Sequence, residues 1–273
     1  MTFPVPTPLE WREAAQKALK DRPIESLVHL DADGLAVRPL YAAASGVEPL
    51  SASRPSDADG RAWDLRAVVE GDDPAAVNTA VLTELQGGAA SVLLAGEVLR
   101  DSDPLRRALD GVALELAPVA LDAGIDGPDA ANALAVGAKG APRAKLRFHL
   151  DPISAFAEAG GSPRPADEHL MLAANTAQRH AGAYPEASFF LASGRVAHEA
   201  GGSIAQELAF AAASAVAYAR AALEAGMTLE RALAGTVVGL SVDQEYFDSL
   251  AKVRAMRLIW RSLTRALGCE TRS

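Results

Sequence analysis

A single cysteine, Cys269, stands in this chain of 273 residues. No disulfide can form within the chain and no thiolate metal cluster can be built; one thiol suits a reducing compartment. Aromatic residues are scarce, at 5%, while alanine is abundant, so helices are expected to pack closely through small side chains. Lysine and arginine (26) fall short of aspartate and glutamate (35), giving a formal charge of −9 with the two signs interspersed. That balance argues against nucleic acid or an anionic membrane as the main partner. No apolar run approaches the roughly 20 residues of a membrane-spanning helix. The opening MTFPVPTPLEW lacks a charged region followed by an apolar stretch, so no signal peptide is expected and the predicted location is the cytoplasm. Also missing are the G-x-S-x-G elbow and the G-x-x-x-x-G-K-[ST] phosphate loop. His198-Glu199 opens like a zinc-protease helix, but Gly202 occupies the place of the second histidine, so no metal site is expected.

What the chain does have is rhythm. Residues 1–60 read as an N-terminal arm: Pro4, Pro6 and Pro8 lead into a helix over 9–19 carrying Trp11, then an extended stretch at 35–41. A loop rich in Ser, Pro, Asp and Gly at 51–60 is the expected boundary. Over 61–273, apolar or β-rich runs recur at 63–69, 91–95, 112–116, 145–150, 188–192 and 236–241. Helical patterns lie between and after them, at 74–86, 103–109, 128–136, 151–159, 166–181, 203–225 and 243–267. Strand–helix alternation of this kind predicts an α/β fold with a parallel sheet. Periodicity alone leaves two forms open, an incomplete TIM-barrel-like (β/α) repeat of about six units and an open doubly wound sheet. Asp73 before Pro74 reads as an N-cap, and Gly226 as a left-handed helix stop. Ile204, Leu208, Ala212, Val216, Ala219 and Leu223 are spaced as one buried stripe, as are Phe247, Leu250, Ala251, Leu258, Ile259 and Leu263 in the last helix.

Three segments resemble the methylmalonyl-CoA mutase family. Asp33-Gly34-Leu35-Ala36-Val37-Arg38-Pro39-Leu40-Tyr41 is similar to the signature of its N-terminal arm, and Arg61-Ala62-Trp63-Asp64-Leu65-Arg66 to the R-x-W-x-hydrophobic-R of its first barrel strand. Glu199-Ala200-Gly201 through Gln206-Glu207-Leu208 resembles its E-A-G-x-x-x-x-Q-E-L motif. Ala251-Lys252-Val253-Arg254-Ala255-Met256-Arg257-Leu258-Ile259-Trp260 resembles its A-K-hydrophobic-R-A-x-R-x-hydrophobic-W motif. The resemblance implies a barrel that binds acyl-CoA along its axis, facing adenosylcobalamin carried on a separate domain. It implies a radical rearrangement between methylmalonyl-CoA and succinyl-CoA. It further implies that residues 61–273 hold about six of the eight βα units, with no cobalamin-binding domain.

The family's functional positions are altered. Val68 stands where active members carry a tyrosine, Arg195 and Val196 where they carry Tyr-His, and Ala159 where an arginine grips the substrate carboxylate. Such losses resemble the small, non-catalytic subunit, and no catalytic residue is expected. Arg61, Arg66, His149, Asp151, Arg195 and His198 remain as candidates for a residual pocket, with acyl-CoA as a possible ligand; Glu70 and Asp243 also fall at strand ends, and Asp151 and Asp243 read equally as helix caps. The lone near-match to the cobalt-ligating D-x-H-x-x-G motif, Asp167-Glu168-His169-Leu170-Met171-Leu172, lies within a helix pattern and lacks the glycine, so this chain alone is expected to bind no cofactor. Lys252, Arg254 and Arg257 read as a solvated helix face or as a contact for a CoA phosphate or a neighbouring subunit. The implied partner is a catalytic large mutase subunit, or a second copy meeting exposed barrel edges. Two other readings stay open: a free-standing barrel enzyme with lyase-like acid–base chemistry on His149, Asp151, Arg195 and His198, and a truncated piece of a longer mutase.

Overall fold

The computed structural model describes residues 6–41, 63–162 and 164–269. The chain divides into two compact units, Met1–Ser53 and Arg54–Ser273; the expected linker at 51–60 lies outside the described residues, as does Arg61. In the first unit, α1 (Pro8–Leu19) begins with a reciprocal cap. The Thr7 hydroxyl accepts from the Glu10 amide at 3.2 Å and the Glu10 carboxylate accepts from the Thr7 amide at 2.7 Å. The predicted extended stretch at 35–41 is a strand only at β2 (Ala36–Val37), which pairs antiparallel with β1 (His29–Leu30). The Asp31 carboxylate holds the connecting turn by accepting from the Asp33 and Leu35 amides.

The second unit runs β3 (Arg66–Glu70), α2 (Pro74–Gln86), β4 (Ser91–Ala95), α3 (Ser102–Ala108), β5 (Val119–Asp122), α4 (Gly127–Gly137) and β6 (Leu146–Leu150). It continues with α5 (Pro152–Ala159), α6 (Ala166–Ala181), β7 (Ser188–Ser193), α7 (Arg195–Glu199), α8 (Ile204–Glu224), α9 (Leu229–Ala234), β8 (Thr236–Gly239) and α10 (Tyr246–Ala266). The six strands are parallel and lie in sequence order, β3-β4-β5-β6-β7-β8. A doubly wound sheet reverses its strand order at a switch point; this sheet has no reversal. β3 and β8 each have one ladder neighbour among the described residues. No described helix is long and apolar enough to cross a membrane.

Val92, Leu94, Leu121, Leu146 and Phe148 from the strands bury against Val77, Val81, Leu105 and Leu134 from the helices. Alanines fill the helix contacts, with Ala131, Ala173, Ala177, Ala215 and Ala222 all but inaccessible. Phe148 stacks on Phe189, and Phe190 on Tyr218 of α8. α2 starts as the sequence predicts, with the Asp73 carboxylate accepting from the Ala75 and Ala76 amides ahead of Pro74.

Three expectations need correction. The third strand of this sheet is Val119–Asp122, not 112–116: Val112 and Leu114 pack against the core from a turn, and the chain extends only from Pro118, whose carbonyl accepts from the Val92 amide. The buried face of α8 is rotated from the predicted stripe. Leu208 and Ala219 are buried as predicted, but Ile204 and Leu223 are exposed, while Glu207, Ala211, Ala215, Tyr218 and Ala222 turn inward. In α10 the inward residues are Ser249, Lys252, Met256 and Thr264, and Phe247 is 80% exposed.

Two glycines separate conformational strain from close approach. Gly88 (φ +107) has open space around a would-be Cβ, whereas Gly96 (φ +93, ψ −173) would place one 2.7 Å from the Gly71 carbonyl oxygen. Gly96→Ala is expected to destabilise by about 3 kcal/mol and Gly88→Ala by about 1 kcal/mol. Urea midpoints of the two variants check the order, and equal losses would show that the Gly71 contact is not tight.

Candidate functional site

The strand ends from β4 to β8 open onto a cleft of about 200 Å³. Leu93, Leu121, Leu191 and Leu240 form its apolar walls, and its polar lining includes Asp122, His149, Asp151, Ser193, Glu158 and Arg195. Three of the predicted pocket residues, His149, Asp151 and Arg195, therefore meet in one place. They do different things there.

His149 lies where the β6–β7 register is broken, and its backbone adopts φ +49, a left-handed conformation that is uncommon for residues other than glycine but that histidine, asparagine and aspartate adopt more often than the rest. Its ring lines the cleft, yet Nε2 is shielded from solvent and has no hydrogen-bond partner. Burial, with Arg66 and Arg147 nearby, drives its pKa down to about 4, against a weaker upward pull from the Leu121 carbonyl. The ring is neutral at physiological pH.

Asp151 is a brace. It caps α5 by accepting from the Ser154 amide at 3.2 Å, and it accepts from the Ser193 amide at 3.3 Å and from the Tyr218 hydroxyl. Tyr218 in turn accepts from the Ile153 amide. One carboxylate thus joins α5, β7 and α8, and its oxygens are taken up by protein donors. Burial raises its pKa despite those bonds, and burial likewise raises that of Tyr218.

Arg195 opens α7, with its guanidinium 3.4 Å from Glu158 and 3.4 Å from Glu199. His198 does not line the cleft. Its Nδ1 is 3.6 Å from Glu207 Oε2, too long for a hydrogen bond. Arg66, at the start of β3, does not line the cleft, and it donates to the Ser91 hydroxyl and the Asp64 carboxylate. Among the altered family positions, Val68 is 68% exposed on β3, Ala159 is exposed at the end of α5, and Val196 is half-buried on α7. Asp243 accepts from the Glu245 amide and the Ser249 hydroxyl just before α10.

The expected solvated face of α10 is corrected at Lys252, which is only 1% exposed. Its ammonium donates to Glu207 Oε2 at 2.6 Å and to the Ser241 carbonyl at 2.9 Å, while the Ser241 amide donates to Glu207 Oε1 at 2.6 Å. Gly194 lies against this pair: a Cβ there would come within 2.6 Å of Glu207. Sequence reasoning missed Glu207 because nothing in a helical period distinguishes a buried carboxylate from a surface one. The clue was available, since Glu207 and Lys252 belong to the two longest motif stretches.

Among the described residues no group of three or more His, Cys, Asp or Glu side chains is placed to hold a metal. His169 of the near-match motif is buried inside α6, with Nε2 against the Ser162 hydroxyl. A ring committed in this way does not fit as a cobalt ligand.

The fold and these motif contacts agree with relationships found by comparison. A family model described as methylmalonyl-CoA mutase matches residues 89–273. The methylmalonyl-CoA mutase small subunit of Streptomyces virginiae is 34% identical over 86% of this chain and 40% of its own length. A probable small subunit from Mycobacterium tuberculosis is 33% identical over 92% and 42%, and the small subunit of Propionibacterium freudenreichii subsp. shermanii 28% over 98% and 45%. The architecture is thus that of a parallel α/β protein whose paired motif residues Glu207 and Lys252 meet in the interior. The chain belongs to the methylmalonyl-CoA mutase family, and it spans less than half the length of these relatives.

Two expectations follow from the site. Lys252→Met should cost about 3–5 kcal/mol by leaving Glu207 buried without its cation, and adding Glu207→Leu should recover most of that loss. A double-mutant cycle by urea unfolding measures this, and strictly additive losses would show that the two charges are uncoupled. For His149, the unfolded chain binds a proton near pH 6.5 while the folded chain does so only near 4. Its contribution is complete above pH 6.5 and is lost as pH falls towards 4, by roughly 3 kcal/mol. His149→Asn tolerates the left-handed backbone, and its stability–pH curve should be flatter than the parent's across that window.

Proposed function

We propose that this chain is part of a small, non-catalytic subunit of an adenosylcobalamin-dependent methylmalonyl-CoA mutase, a cytoplasmic assembly in which a large subunit performs the isomerisation. The observation that carries the reading is the charge of the cleft. Arg195 is flanked by Glu158 and Glu199, and Asp122 and Asp151 line the same space. Acids outnumber the cation, so a carboxylate-bearing thioester meets repulsion where an active site needs preorganised positive charge. Valine at 68 and 196 and alanine at 159 offer no hydrogen bond in exchange.

In this reading residues 61–273 are six consecutive units of a (β/α)8 wall, which the unreversed strand order supports. The free edges of β3 and β8 are closed by a further length of chain, a partner or a second copy, because bare strand edges invite pairing. Residues 1–60 form the arm that contacts the large subunit. Adenosylcobalamin supplies its radical chemistry in the assembly, held by groups outside this chain, since His169 is unsuited to cobalt. The free-standing acid–base enzyme is the weaker alternative: His149, Asp151 and Arg195 share the cleft, but Asp151 is engaged by three protein donors and His198 does not line it.

The test is direct. Purified chain mixed with adenosylcobalamin and methylmalonyl-CoA should form no succinyl-CoA and retain no cobalamin on gel filtration, and it should co-elute with a large mutase subunit. Turnover by the chain alone would overturn the non-catalytic assignment, and failure to associate with any large subunit would overturn the partnership.

A further inference from the structure

α10 presents two unlike faces. Inward, Lys252 is tied to Glu207 and Met256 is buried. Outward, Phe247, Leu250, Arg254, Arg257, Arg261 and Arg265 follow one another at three- or four-residue steps, so they share one side of the helix with Leu258. Phe247 is 80% exposed and Leu258 55%. Arg254, Arg261 and Arg265 are exposed, and Arg257 is half-buried. From Phe247 to Arg265 this face runs about 27 Å.

Its charge is uncompensated. Elsewhere on the surface Arg100, Arg106 and Arg143 lie 2.8, 2.7 and 3.5 Å from a carboxylate. Among the described residues no carboxylate forms an ion pair with any of the four arginines of α10. No Asp or Glu follows Asp248 within the helix. Arg265 falls in the last turn, where the helix dipole favours a cation. The other three have no such reason to be there. Arg257 with Arg261, and Arg261 with Arg265, are like charges at four-residue spacing, which disfavours the helix. In a chain of formal charge −9, cations gathered in this way point to an anionic partner.

The apolar members of the face select among such partners. A helix that lies on a lipid surface buries one continuous apolar side and keeps its cations on the polar side. Here the arginines are interleaved with Phe247, Leu250 and Leu258, so entry of the apolar side chains into a bilayer would carry guanidiniums with them. A second copy meeting this face about a two-fold axis would set arginines against arginines. A protein helix with carboxylates at matching spacing and apolar residues between them satisfies both components, since guanidinium and carboxylate pair bidentately. We propose that the outward face of α10 docks an acidic amphipathic helix of the large subunit, its carboxylates pairing with Arg254, Arg257, Arg261 and Arg265 and its apolar side chains packing on Phe247, Leu250 and Leu258. The inference rests on the reading of the chain as part of a small subunit, and it adds a contact on the second unit to the one made by the arm.

The test is calorimetric titration of the full chain with the large mutase subunit from the same organism. Arg254→Glu, Arg261→Glu and Arg265→Glu combined change only exposed side chains, and a urea midpoint matching the parent's checks that the variant folds. It should weaken association about a hundredfold, whereas lysine at the same three positions should weaken it by about tenfold or less. Added salt should weaken the parent's association and not the glutamate variant's. Phe247→Ser should cost about tenfold and keep the parent's salt dependence. Unchanged association of the glutamate variant would overturn the proposal and leave the partnership standing. No association of the parent with any large subunit would defeat the partnership reading itself, and the proposal with it. Binding of the parent to phosphatidylglycerol vesicles that is lost in the glutamate variant, with large-subunit association intact, would assign the face to lipid and overturn the proposal.

Discussion

The second unit is anchored on one buried ion pair. Glu207 on α8 and Lys252 on α10 are both essentially inaccessible, and the Ser241 backbone closes the arrangement from the segment that follows β8. Such a pair is no guarantee of stability, because desolvating two charges offsets much of their attraction. What it does is fix position. A lysine 45 residues away along the chain from its carboxylate can reach it in only one docking of α10 on α8. The backbone of Ser241 must then run past the same carboxylate. Gly194 is required for a related reason: any side chain there would collide with Glu207 and push α7 away from α8.

A second brace is built on Asp151, which lines the cleft. Asp151 gathers the start of α5, the end of β7 and Tyr218 of α8 onto one carboxylate. α8 therefore takes part in both braces, through Glu207 near its start and Tyr218 further along. Part of the cleft's polar lining is committed to bracing, since Asp151 accepts from three protein donors and Arg195 faces two carboxylates. His149 is the exception, since it braces nothing through its ring Nε2 and yet sits at the one non-glycine left-handed position in this unit's described residues.

Much of the fold was legible in the sequence, and the rest failed for identifiable reasons. β4, α2 and α6 fall where the pattern places them, because their boundaries carry local chemistry such as the Asp73–Pro74 cap. β5 was displaced because the apolar run at 112–116 packs into the core as a turn, and burial alone does not distinguish strand from turn. The stripes of α8 and α10 were misplaced because large apolar residues were given the inward face. In this alanine-rich interior the space admits Ala211, Ala215 and Ala222, and a Glu–Lys pair, while Ile204, Leu223 and Phe247 turn outward. Of the site, the membership of His149, Asp151 and Arg195 was readable from their places at strand ends. Their separate roles were not, because partner choice depends on residues as distant in sequence as Tyr218.

This division of labour bears on how a scaffold can outlast a reactive centre. The braces are internal: Glu207, Lys252 and Tyr218 are removed from solvent, and replacing any one leaves a buried partner unsatisfied. Val68 and Ala159 stand on exposed surface and make no contact with either brace in hydrogen bond or charge. Exchanging a tyrosine or an arginine at such positions leaves the packing of the sheet untouched. Under the proposed function, positions that would grip a substrate can therefore drift while the motifs that hold the helices cannot. On that reading the sequence resemblance survives in the stretches containing Glu207 and Lys252, while positions 68, 159 and 196 are free to differ. A stable subunit can then present a cleft of altered charge, since the energy that shapes the cleft comes from the braces around it and not from any ligand within it.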